Sequence, residues 1–151
     1  FTGVDSRTAY TAGLLRSVGK VAIDHLCVAR GDHDTYEDDG RTPLLRWEMD
    51  RCGLDNLSAA KTILATWRFP AATIQAINEH CNPGAEAPAL ARLLNVAAAA
   101  ADRCGHGWPG EWSYWADAME RAESLRLTEE NLNDATRDAL EAFGPVRAAV
   151  G

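Results

Sequence analysis

The side chains in this chain best suited to bind a metal or attack a substrate are four cysteines and four histidines. Cys27, Cys52, Cys81 and Cys104 lie far apart, and no two form a Cys-x-x-Cys pair. Zinc-ribbon and thioredoxin-type chemistry therefore lack their ligand spacing. Each cysteine falls on or beside a segment of helical periodicity and reads as a small, half-buried hydrophobe in a reducing compartment. Cys81 has a sharper alternative, because it directly follows His80. The acidic run Asp32, Asp34, Glu37, Asp38 and Asp39 lacks the register of a calcium loop, which needs alternating ligands, a central glycine and a closing glutamate. It reads as a solvated loop. A Ser17, His80 and Asp102 triad can be written down, but Ser17 has no nucleophile-elbow glycines around it. Phosphate-loop and dinucleotide glycine fingerprints are absent.

The elements that would position these residues are helices. Strand-like alternation is nearly absent, whereas apolar residues recur at three- and four-residue steps. Asp5 or Ser6 can cap a first helix carrying Tyr10, Leu14 and Leu15, with a bend or break expected at Gly19. Val21, Ile23, Leu26 and Cys27 continue to about Ala29, and Gly31 can close that run. Residues 31–42 form the acidic loop. Pro43 opens the next helix, through Leu44, Leu45, Trp47, Glu48 and Met49 to Cys52, and Gly53 stops it. Asp55 is the next cap, before a stripe of Leu57, Ala60, Leu64 and Trp67. Pro70 ends that helix or starts another, in which Ile74 and Ile77 share a face up to His80. After the turn Asn82-Pro83-Gly84, Pro88 opens a helix whose inward side is expected to carry Leu90, Leu93, Leu94, Ala97, Ala101 and Cys104. Gly105 to Gly110 is a loop, followed by Trp112, Tyr114 and Trp115. That aromatic cluster is either a surface patch for a partner or, as such residues more often are, a loop anchor on the core. Thr128 caps the last helix, with a stripe of Leu132, Ala135, Ala139, Leu140 and Phe143, and Gly144-Pro145 is expected to stop it.

These patterns imply one all-α domain spanning residues 1–151, with no internal repeat or linker. A hydrophobic fraction of 46% is enough for a sizeable core. The formal net charge of -7 argues against nucleic acid as a partner, because phosphate neutralisation needs clustered Lys and Arg. No apolar run reaches the ~20 residues that span a bilayer, and no signal peptide is visible, so a cytoplasmic protein is expected. A first residue of Phe1 rather than Met suggests a fragment or a processed start.

Three stretches carry a resemblance. Ala9-Tyr10-Thr11-Ala12-Gly13-Leu14-Leu15-Arg16-Ser17-Val18-Gly19-Lys20 is similar to the segment of HD-type phosphohydrolases that ends Leu-Leu-His-Asp-Ile-Gly-Lys. Trp67-Arg68-Phe69-Pro70 resembles the Trp-x-x-Pro junction of HDOD domains, the HD-related output domains of bacterial signalling proteins. Ile74-Gln75-Ala76-Ile77-Asn78-Glu79-His80-Cys81-Asn82-Pro83 resembles that family's Ile-x-x-Ala-Ile-x-x-His-His-x-Pro. Order and spacing agree over roughly residues 6–143. The resemblance implies an HD-like helical bundle and the C-terminal half of a longer HDOD protein, whose N-terminal helices and Leu-Leu-Arg-x-x-Asn-Ser type motif have no counterpart here.

The resemblance also implies where a metal site would have been. The His-Asp ligand pair falls on Arg16 and Ser17, a following histidine on Asn56, the tandem histidines on His80 and Cys81, and a late aspartate, loosely, on Asp102. His25, His33 and His106 match no ligand position. Arginine offers no lone pair and stays protonated, so it cannot replace histidine as a ligand. Beside a buried divalent ion its charge would cost on the order of several kcal/mol. Arg16 would instead pair with Asp102 or another acid near the former ligands. His80 would either meet the last carbonyls of its helix or face the pocket, and Asn56 would cap a helix start.

The expected function is a non-catalytic regulatory domain of bacterial signal transduction with no cofactor, acting through contacts with other signalling proteins or domains. Self-association is a further expectation. The alternatives are a small-anion or nucleotide binder, using Arg16, Ser17, Asn56 and His80 on phosphate oxygens, and an active metal-dependent phosphohydrolase with a different ligand set.

Overall fold

Asp5 starts the first helix by accepting a 2.8 Å hydrogen bond from the Thr8 amide. The computed structural model describes residues 3–150, with side chains through residue 145, so Phe1 lies outside the described residues. From that cap the chain runs through α1 (Ser6–Leu15), α2 (Val18–Ala29), α3 (Leu44–Cys52), α4 (Asn56–Thr66), α5 (Ala71–Glu79), α6 (Ala89–Ala101), α7 (Ala118–Ser124) and α8 (Glu129–Val150). Among the described residues there is no strand, and the fold is an all-α bundle. None of these helices is long and apolar enough to cross a membrane.

The caps follow from local chemistry. Asp55 accepts from the Ser58 amide at 2.8 Å and opens α4. Gly53 closes α3 at φ 70°, a conformation that glycine adopts without a Cβ clash. Thr128 and Asn131 exchange hydrogen bonds between side chain and backbone at the start of α8.

The core centres on α4, α5 and α6, with α1 laid across α5 and α6 and α2 packed along α4. Ala12, Ala60, Leu64, Ala76, Ile77, Leu90, Ala91 and Leu94 form its main cluster. Alanines at the crossings let the helix axes approach closely, and the larger Leu and Ile side chains fill the spaces between them. Two smaller clusters flank it: Ile23, Cys27 and Ala59 between α2 and α4, and Ala98, Ala99, Trp115 and Ala118 between α6 and the α7 region.

Five expectations are corrected. The break after α1 falls at Arg16 and Ser17, not at Gly19, which is buried inside α2. A Cβ on Gly19 would run into the Asn56 carbonyl, so this glycine serves the close approach of α2 to α4. Trp67 does not continue the buried stripe of Ala60 and Leu64 but stands 56% exposed. Leu90 and Leu94 are buried as expected, but the rest of the buried face of α6 is Ala91, Asn95, Val96, Ala98 and Ala99. Leu93, Ala97, Ala101 and Cys104 instead line an open groove beneath α8. Finally, α8 runs through Pro145, whose missing donor removes one helical hydrogen bond without ending the helix. Its stripe is not buried: Leu140 and Phe143 are 41% and 46% exposed along that groove.

Gly19→Ala is expected to destabilise the fold by about 2–4 kcal/mol, because the clash is with backbone that cannot rotate away. Gly13→Ala, in α1 with open space around its Cα, is expected to stabilise it by about 0.5–1 kcal/mol. Urea denaturation of the two variants checks both signs.

Candidate functional site

The C-terminus of α1, the first turns of α2 and the C-terminus of α5 meet at one end of the bundle. The short break at Ser17 lets Arg16 and Lys20 project toward the same point from two helices. Ser17 is the N-cap residue of α2, and its carbonyl accepts from the Lys20 amide at 3.1 Å, with no cap bond from its side chain. His80 is the C-cap residue of α5, and Cys81 follows it; both are buried.

Glu111 reaches this point from the segment between α6 and α7, and is 2% exposed. Its carboxylate pairs with Lys20 and lies 3.6 Å from the Arg16 guanidinium. Thus the acid beside Arg16 is Glu111, while the Asp102 carboxylate packs against Gly107 in the turn after α6. Trp108 covers the cluster from outside, its ring 4.9 Å from the Lys20 ammonium. A cation over an indole face gains electrostatic attraction as well as shielding.

His80 has its tautomer set by its neighbours. Its Nδ1 lies 2.7 Å from the Ile77 carbonyl, which can only accept, so Nδ1 carries the proton. Its Nε2 faces Arg16 Nη1 at 3.5 Å, and arginine can only donate, so Nε2 presents its lone pair. That lone pair is thereby directed at a cation, with the Cys81 sulfur 3.7 Å away. Burial, aided by the charges of Arg16 and Lys20, drops the His80 pKa to about 4. Burial and the nearby Glu111 charge push the Cys81 thiol up to about 12, so it is not a thiolate at neutral pH. Burial lowers the Lys20 pKa, with Glu111 opposing the shift.

A second carboxylate lies behind the first. Glu48 is buried on α3 and accepts from both the backbone amide and the side-chain amide of Asn56, each at 2.7 Å. Asn56 therefore sits one residue inside its helix and holds Glu48, while Asp55 does the capping. Desolvation raises the Glu48 pKa, and the charge of Lys20 counters part of that rise. On the far side, Asn95 donates to the His80 carbonyl at 2.8 Å and to the Tyr114 carbonyl at 3.0 Å, and Arg121 donates to its oxygen at 3.0 Å. These bonds tie α5, α6 and α7 to the wall of the site.

Arg16, His80 and Cys81 are thus brought together, Asn56 stands one layer away through Glu48, and Ser17 contributes backbone only. Asp102 is not among the groups around this point. Lys20, Glu48, Asn95 and Glu111 were not singled out from sequence. Lys20 ends the Gly-Lys motif and Glu48 lies one turn from the buried Leu44, so both carried a signal. Glu111 sits among aromatic residues in an aperiodic loop and carried none. Among the described residues no group of three or more His, Cys, Asp and Glu converges in a way that could hold a metal ion. Chemically, the site is two cations closed on one buried carboxylate, beside a neutral imidazole.

Glu111→Gln leaves Arg16 and Lys20 facing each other without their shared counter-charge, and is expected to destabilise the fold by about 3 kcal/mol. Adding Lys20→Met to that variant is expected to restore part of the loss, as a urea double-mutant cycle would show. His80 sets a pH dependence. Its folded pKa lies below the unfolded value of 6.5, so the unfolded chain gains the proton first as pH falls. Stability is full above about pH 6.5 and declines toward pH 4, by about 3 kcal/mol at most. The raised pKa of Glu48 acts in the opposite sense, favouring the fold as the pH drops through the carboxylate range. His80→Gln is expected to flatten the decline between pH 6.5 and 4, measured by denaturant midpoints across that range.

The family model of the HDOD domain matches residues 2–83, from the N-terminal segment through α5 to the residues just after Cys81. No curated protein and no solved structure matches the chain. The matched segment is more than half of the chain and contains Arg16, Ser17, Lys20, Asn56, His80 and Cys81, while Asp102, Glu111 and α8 lie beyond it. On this match, with the all-α bundle that carries it, the chain belongs to the HDOD family.

Proposed function

We propose that this domain is a non-catalytic regulatory module of signal transduction that works by contact with other proteins. The observation that carries the reading is the closed ion cluster of Arg16, Lys20 and Glu111. A metal hydrolase needs free lone pairs and carboxylates converging on an ion. In this domain the former ligand pair is a guanidinium and a hydroxyl, the imidazole lone pair faces that guanidinium, and the neighbouring thiol stays protonated. The buried Glu111 carboxylate is already neutralised by two side chains. HDOD domains as relatives of HD phosphohydrolases that have lost catalysis are consistent with this reading.

The groove between α6 and α8 supports the contact half of the proposal. It has a volume of about 710 Å³, with Leu93, Ala97, Leu132, Ala139, Leu140 and Phe143 among its lining residues. Such an open apolar surface costs free energy in water unless something covers it. Among the described side chains, the exposed face of α8 beside it carries Glu129, Glu130, Asp134, Asp138 and Glu141 against Arg137. The occupant we assign is an amphipathic helix of a partner signalling protein, apolar on one face and basic along its flanks.

A second reading, binding of a small anion, is favoured by one feature: Arg16 and Lys20 converge on a carboxylate that a phosphate could replace. Glu111 competes with any such ligand, which ranks this reading second.

Protein purified without chelator is expected to contain metal well below one equivalent and to show no binding heat with manganese, iron or zinc. One tightly held equivalent would overturn the non-catalytic reading. A synthetic Leu/Lys amphipathic helical peptide is expected to bind, with Ala97→Glu weakening it at least tenfold. Equal binding by wild type and variant, or a stable dimer by sedimentation in place of peptide binding, would remove the assigned occupant. Inorganic phosphate is expected to bind Glu111→Gln more tightly than wild type if the second reading holds.

A further inference from the structure

Cys27 and Cys52 come from different helices and are separated by 25 positions, yet their sulfur atoms lie 2.9 Å apart. Cys27 is buried on the inner face of α2, in the small cluster with Ile23 and Ala59, and Cys52 is half-buried at the last turn of α3. Both are free thiols. A disulfide needs its sulfurs about 2.05 Å apart, so bond formation would close the gap by about 0.9 Å, within the reach of small side-chain adjustments. The other two cysteines have no such neighbour: Cys81 sits beside His80 at the ion cluster, and Cys104 is exposed in the turn after α6.

From this geometry we infer that Cys27 and Cys52 form a reversible intramolecular disulfide that locks α2 to α3 in response to peroxide. Cys52 is the residue open to peroxide, because it is the more exposed of the two. Its thiolate attacks hydrogen peroxide, forming an S–O bond as the O–O bond breaks; the sulfur becomes a sulfenic acid and the peroxide is reduced to water. The Cys27 sulfur then attacks the Cys52 sulfur. The S–S bond forms, the S–O bond breaks, and the leaving hydroxide takes the Cys27 proton as a second water. Two thiols and one peroxide give one disulfide and two waters, and a reducing dithiol reverses the change. The Cys52 thiol holds Cys27 protonated, with its pKa raised to about 11, which suits Cys27 to the resolving step rather than to the first attack.

The surroundings give the bond something to act on. Arg51 clamps the acidic loop over this helix pair through Asp32 and Asp34. The Asp38 carboxylate of the same loop accepts from the Gly110 amide at 3.0 Å, next to Glu111. The bond would also join α2, which carries Lys20, to α3, which carries Glu48.

The test uses the full chain with Cys104→Ser, which removes the exposed thiol that could link two molecules. After treatment with stoichiometric hydrogen peroxide, alkylation and digestion, the expected result is a loss of 2 Da and a peptide linked through Cys27 and Cys52, both undone by dithiothreitol. The oxidised protein is expected to melt about 5–10 °C higher than the reduced protein, as closure of a loop of this length implies. Cys27→Ala and Cys52→Ser should each abolish the mass change and the shift. Intact thiols at both positions after oxidation, or a sulfinic acid on Cys52 with no linkage, would overturn the proposal, and neither readout depends on the variants folding.

Discussion

Three side chains from two distant parts of the chain share one buried charge balance, and the end of the bundle is built around it. Glu111 has almost no access to water, and a carboxylate in such a place is costly unless cations hold it. Arg16 and Lys20 provide them from either side of the Ser17 break. The segment between α6 and α7 is thereby fastened across the ends of α1, α2 and α5. Asp38 bonds to the Gly110 amide and to the Trp112 indole, and Tyr36 packs against Gly110, so the acidic loop closes over the same place. Interactions of this kind contribute less to net stability than to uniqueness, since removing one partner leaves the others stranded.

The polarity of the cluster is the reverse of a metal centre's. A divalent ion is a concentrated positive charge that gathers carboxylates and neutral imidazoles. Here the positive charges are covalently fixed at Arg16 and Lys20, and a carboxylate enters to meet them. The imidazole responds to the same inversion. With cations on one side and a carbonyl on the other, His80 is held neutral well below the usual pH of imidazole titration. It works as a hydrogen-bonded spacer that joins α5 to Arg16, while Asn95 secures its backbone from α6.

What could be read from the residues was whatever is local. Caps at Asp5, Asp55 and Thr128, the stop at Gly53 and the helical periodicity of α4 and α6 depend on side chains within a few positions of one another. That Arg16 and Ser17 stand where the resemblance expects a His-Asp pair was equally visible, since it lies within one motif. The partner of Arg16 was not, because Glu111 is far away in sequence and sits in a loop with no period. Gly19 misled for a related reason: a glycine inside a helix reads as a break, and only the Asn56 backbone crossing it shows that it is there for contact. The meeting of Cys27 with Cys52 and the turning of Leu93 and Ala97 away from the core also arise from helix crossings, which spacing does not specify.

The outer face of the α6–α8 pair follows from the way the core is divided. The buried side of α6 is satisfied by α5, α1 and α7, through Leu90, Ala91, Leu94 and Ala98. Its opposite side is nearly as apolar, because an unbroken run of alanines extends from Ala97 to Ala101. One helix with two apolar faces needs two neighbours, and α8 covers the second only at its edge, leaving Leu140 and Phe143 partly exposed to water. An amphipathic helix whose stripe stays half open has given up hydrophobic stabilisation that full docking would supply. The part of the chain that matches the family ends before α6, so both the groove and Glu111 belong to the remainder. The remainder therefore does two physical jobs: it sends one carboxylate inward to meet Arg16 and Lys20, and it leaves one apolar face open between α6 and α8.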